Sequence, residues 1–148
     1  MDKAQILQAF RTKLELRVAE ADHELSLLDE AAAGETKSSA GDKYETAREM
    51  IAQARSMQSR LRSEAHRGLD WLARQDLSLS REAIGPGCLV STSSGTYLVG
   101  ILTDSVQTAD GPVQGITMAS PLGQALRGKR PGEVLPWRQG SLTVLAVI

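Results

Sequence analysis

The chain is poor in the residues that build most metal and small-molecule sites. Its 148 residues hold one cysteine, two histidines and five aromatics: Phe10, Tyr44, Trp71, Tyr97 and Trp137. The single thiol, Cys88, excludes an intramolecular disulfide and fits a reducing compartment. One cysteine with His23 and His66 excludes a Cys/His zinc cluster. So few aromatics leave little with which to line a pocket, and no small-molecule substrate is expected. No apolar run reaches transmembrane length, and Asp2 and Lys3 lead straight into polar helical sequence where a secretory leader would stand. A cytoplasmic location and no membrane partner are therefore expected. The formal net charge of −1 excludes a general nucleic-acid coat.

What the chain does have is helical periodicity. Leu7, Arg11, Leu14, Val18, Ala21, Leu25 and Leu28 step by fours and threes, which predicts a helix over 3–30 about 40 Å long. Tyr44, Ala47, Ile51, Ala54, Gln58, Leu61, Ala65, Gly68 and Leu72 repeat the pattern from about 42 to 75. Asp42 with Glu45 three residues on reads as a capping-box-like start. The connection between the two seams is short, so the helices are expected to form an antiparallel coiled-coil hairpin. A tight closure sets Leu28 opposite Tyr44 or Ala47, Leu14 opposite 58–61 and Leu7 opposite 65–68. The turn, 31–43, carries the acids Glu35 and Asp42. Charge is polarised along this rod: residues 20–49 hold nine acids and three bases, residues 50–81 three acids and six arginines.

Beyond a linker at 78–84 the character changes at Gly85-Pro86-Gly87. Residues 88–92 and 96–102 predict a β-hairpin, 113–118 a further strand after the turn 109–112, and 133–137 with 142–148 a final strand pair around Gln139-Gly140. Ser120 is placed to cap a short helix that opens with Pro121 and ends at Gly128. The expected fold class is α+β: a hairpin domain over 1–77 and a small, mainly antiparallel β domain with one short helix over 85–148. A catalytic triad is not expected, because His23 and His66 lie far from Ser38 and Ser39 along the rod.

The run Ser120-Pro121-Leu122-Gly123-Gln124-Ala125-Leu126-Arg127-Gly128-Lys129-Arg130-Pro131-Gly132-Glu133-Val134 is similar to a segment of the bacterial Gre transcript-cleavage factors, and the layout of the chain resembles theirs over nearly its whole length. The resemblance implies a coiled coil on an FKBP-like domain, with RNA polymerase as partner. In that family the globular domain docks at the rim of the secondary channel and the coiled coil passes down it. Tip acids then help hold an Mg²⁺ shared with the polymerase active site, so that the nascent RNA 3′ end is reached indirectly. The factor would be an auxiliary, not an enzyme, with no cofactor of its own. Carried over, Glu35 matches the first tip acid. The second falls on Ser38 or Ala40, because the stretch 34–44 is two residues longer than the family pattern, and Asp42 is the candidate replacement. Arg55, Arg60, Arg62 and Arg67 on the second helix, and Ser120, Pro121, Leu122, Arg127, Lys129 and Arg130 around the short helix, are the candidate polymerase or RNA contacts. Two alternatives stand beside a cleavage factor. One is a non-cleaving regulator or inhibitor in the same channel. The other is a coiled-coil interaction adaptor, which a second apolar stripe on the rod would favour. An FKBP-like fold here does not imply prolyl isomerase activity.

Overall fold

The structure is a computed structural model. It describes the backbone of residues 1–35 and 41–148, and all side chains there except those of Glu35 and Asp42. Two long helices, α1 (Lys3–Glu35) and α2 (Gly41–Ala73), precede β1 (Leu89–Thr92), β2 (Gly95–Val99), β3 (Val106–Thr108), β4 (Gly111–Ile116), α3 (Pro121–Leu126), β5 (Val134–Trp137) and β6 (Gly140–Val147). The α+β class is as the sequence implies. The chain divides into two compact units that cut across the helices: residues 12–70 form one, and residues 1–11 with 71–148 form the other.

In the unit of residues 12–70 the seam is the expected one. Leu14, Ala21 and Ala65 are buried, and Val18, Leu25, Leu28, Tyr44, Ala47, Ile51, Ala54, Gln58, Leu61 and Gly68 are half-buried. The residues between them are mostly exposed, as a two-helix seam requires. Two features correct the sequence reading. Helix α1 runs through 31–34 to Glu35, because three consecutive alanines propagate a helix better than they turn it. The register also differs. Arg55 bonds Asp29, and Arg62 Nε donates to Asp22 Oδ1 at 2.5 Å. All four follow a seam residue directly, on the flank where antiparallel coiled coils pair like positions. These pairs set Leu28 opposite Ile51–Ala54, Ala21 opposite Leu61 and Leu14 opposite Ala65–Gly68, about one heptad from the expected alignment.

In the other unit six strands, among the described residues, form one sheet in the order β3-β4-β2-β1-β6-β5. All pairs are antiparallel except β2 with β4, where Thr96 faces Val113. The β1–β2 hairpin is the expected one, closing at Thr92↔Gly95. Strand β3 was not legible in sequence. Its three residues pair with β4 across the turn at Ala109-Asp110. One sheet face carries Val90, Val99, Ile116, Leu135, Leu142 and Val144, which pack with Ile84, Cys88 and Leu126 of α3. The other face carries Leu89, Leu98 and Val113, also buried. The helix ends that belong to this unit supply buried Ile6, Phe10 and Leu72. Trp71 lies so close over Gly100 that a Cβ there would meet its ring at 2.6 Å. Lys3 donates to the Ile148 carbonyl at 3.1 Å, and partial burial lowers its pKa, Arg81 adding to the shift and Cys88 opposing it.

Candidate functional site

Helix α3 is held by rules its sequence states. The Gly123 N–H donates to Ser120 Oγ at 3.0 Å, and that hydroxyl donates to the Thr117 carbonyl at 2.7 Å. Pro121 occupies the first turn. Gly123 is required by close approach, since a Cβ would stand 2.0 Å from the Thr117 carbonyl oxygen. Leu126 is wholly buried. Gly128 takes a φ of 72° and its N–H donates to the Ile84 carbonyl at 2.9 Å, pinning the helix end to the sheet unit. Ser120 therefore spends its hydroxyl on capping, while Pro121 stays exposed and Leu122 half-buried.

Those two residues form one wall of a cleft of about 640 Å³. Tyr97 and Ile116 give it an apolar floor and Gln114 a polar one. The β5–β6 turn supplies Trp137 and Arg138, and the β1–β2 turn supplies Ser94. Tyr97 Oη lies 3.2 Å from Ser94 Oγ, which fixes the ring across the floor. The Arg138 guanidinium lies 5.9 Å from the centre of the Trp137 ring, a cation–π contact at the rim. Arg138 has a φ of 54°, uncommon for any residue but glycine. The two-residue turn is thus Arg138-Gln139, one position earlier than expected. Tyr97 and Trp137, two of the chain's five aromatics, both line this cleft. Sequence reading missed them because β2 and β5 become neighbours of α3 only in the folded sheet. The adjacency of Trp137 and Arg138 in a turn was the available signal.

The structure separates the candidate arginines. Arg55 and Arg62 form surface ion pairs with Asp29 and Asp22 and so brace the hairpin. Arg60 and Arg67 are exposed on α2. Arg127 is exposed at the end of α3, Lys129 is half-buried, and Arg130 lies 3.8 Å from Glu82. Glu35 closes α1 and Asp42 stands one residue inside α2, which begins at Gly41. The side chains of both, and residues 36–40 with Ser38 and Ala40, lie outside the described residues. No group of three or more metal-ligating side chains occurs among the described residues. No described helix is long and apolar enough to cross a membrane.

No protein-family model and no curated protein sequence matches the chain. A solved structure described as that of the transcription factor Gfh1 is similar at 22% identity, covering 94% of this chain and 93% of that one with a TM-score of 0.39. The fold described above rests on its own elements and pairings.

Proposed function

We propose that this protein is a Gre-like transcription elongation factor that binds RNA polymerase through the secondary channel and helps cleave backtracked RNA by presenting Glu35 and Asp42 to the polymerase Mg²⁺ site. The observation that carries the reading is a pair of 33-residue antiparallel helices whose joined ends hold those two acids. A 33-residue helix is about 50 Å long, enough to carry a carboxylate deep into a channel. The run 120–134 supports it by resemblance. The chemistry is simple: a metal-assisted hydrolysis gains from an extra carboxylate near a loosely held ion. The cleft of Tyr97, Leu122, Trp137 and Arg138 is the surface we assign to docking on the polymerase, with exposed Arg127 and Arg130 following the other end of α3.

The absence of a carboxylate at Ser38 or Ala40 favours a second reading, a regulator that occupies the same channel without promoting cleavage. One assay separates them. Backtracked elongation complexes are incubated with the protein and Mg²⁺, and 3′ RNA fragments are resolved. Acceleration by the unaltered protein, abolished in Glu35→Ala/Asp42→Ala with polymerase binding retained, is the expected outcome. No acceleration, with competition against a known channel-binding factor, selects the regulator. Neither cleavage nor competition overturns both.

A further inference from the structure

The register fixed by Asp22–Arg62 and Asp29–Arg55 gives the hairpin two unlike flanks. The flank bearing those pairs is ionic. On the opposite flank Met50 and Met57 precede the seam residues Ile51 and Gln58, and the same register sets Ala31 level with Met50 and Glu24 level with Met57. Leu27 lies just outside Glu24 and Ala31. Leu27, Met50 and Met57 are 45%, 66% and 53% exposed and form an apolar patch on this flank, while Leu16, 59% exposed, lies apart from it on the outer face of α1. The next residue of that row on α2 at heptad spacing is the exposed Glu64, which ends the apolar run.

The charges beside the patch differ on the two helices. Glu20 lies on the α1 edge and Arg60 on the α2 edge, at the same level, both exposed and neither in an ion pair among the described residues. A twofold axis parallel to the rod, lying in this face, brings α1 of one copy onto α2 of the other. Met50 then meets the partner's Ala31, Met57 meets Leu27, and Glu20 meets Arg60 twice over. A twofold axis across the rod also joins apolar residues, but it sets α1 on α1 and forms no such pair. We infer that this flank is a self-complementary interface on which a second copy of the chain docks in parallel, forming a four-helix bundle. The patch is small beside the area of a stable interface, so the dimer is weak and concentration-dependent. This proposal is independent of any polymerase.

The test uses the full chain. Sedimentation equilibrium across the micromolar to millimolar range should show a monomer–dimer equilibrium. Met57→Glu should weaken it at least tenfold with helical circular dichroism unchanged. Glu20→Arg should weaken it and Glu20→Arg/Arg60→Glu restore it. Mixed Ala31→Cys and Met50→Cys proteins should form a disulfide-linked dimer under mild oxidation, which neither forms alone. A monomer throughout overturns the proposal, including the case in which Met57→Glu instead costs polymerase binding. So does a dimer indifferent to Met57→Glu, or one in which mixed Met50→Cys and Met57→Cys proteins cross-link and the mixed Ala31→Cys and Met50→Cys pair does not.

Discussion

In the sheet unit Val90, Leu98, Val99, Leu126 and Val144 are fully buried, on both faces of the sheet and on the helix packed against it. Among the described residues between 12 and 70 the buried apolar ones are Leu14, Ala21 and Ala65, two of them alanines. The rest of that seam, Gln58 included, is half-open to water. The first unit has a core. The second has a seam, steadied by surface ion pairs that contribute about 0.2–1 kcal/mol each. A thin seam of small residues lets two helices lie close and keeps the rod narrow. It also leaves the stability of this unit low and local.

That contrast can be broken from either side. Leu126→Ala removes a wholly buried side chain and should destabilise the sheet unit by about 3 kcal/mol, seen as a large loss of denaturation midpoint. Leu25→Ala, at a half-buried seam position, should cost about 1–2 kcal/mol and raise amide exchange along residues 12–70 while leaving the sheet protected. Gln58→Leu sharpens the comparison by giving the seam a missing apolar contact, and should stabilise the hairpin by about 1 kcal/mol on thermal unfolding. The smallest expected effect is at the cleft. Arg138→Gly relieves a left-handed backbone and should stabilise by up to about 1 kcal/mol, yet weaken polymerase binding by losing the cation over Trp137. A loss of stability there would show that the Arg138–Trp137 contact outweighs the backbone strain.

The legible parts were those governed by local rules. Helix α3 followed from Ser120, Pro121 and Gly128, because a cap, a first-turn proline and a left-handed glycine each fix the backbone where they stand. These three residues lie within the run that carries the family resemblance, and each has a structural reason in this chain. They speak to fold before chemistry. The two seams were legible because a three-four repeat has one physical solution. Their alignment was not, since a heptad seam slid by seven residues matches itself again. Only long-range pairs such as Asp22–Arg62 distinguish the alternatives. Ala31 to Gly34 looked like a turn because Gly34 ends the run, while the alanines before it hold the helix. Strand β3 was too short to show alternation. The cleft depends on which strands become neighbours, and no local pattern encodes that. The ionic and apolar flanks of the hairpin follow from the alignment and were hidden with it.

The central claim is that the joined end of the two helices enters the polymerase and reaches its active site. The direct measurement is photocrosslinking from a probe placed at Ser39 in complexes of this protein with the cognate RNA polymerase. The account predicts cross-links to the segments that line the active site and to the RNA 3′ end in backtracked complexes. It also predicts their loss when a known channel-binding factor competes. Cross-links confined to the outer surface of the polymerase, or none with binding intact, would contradict it.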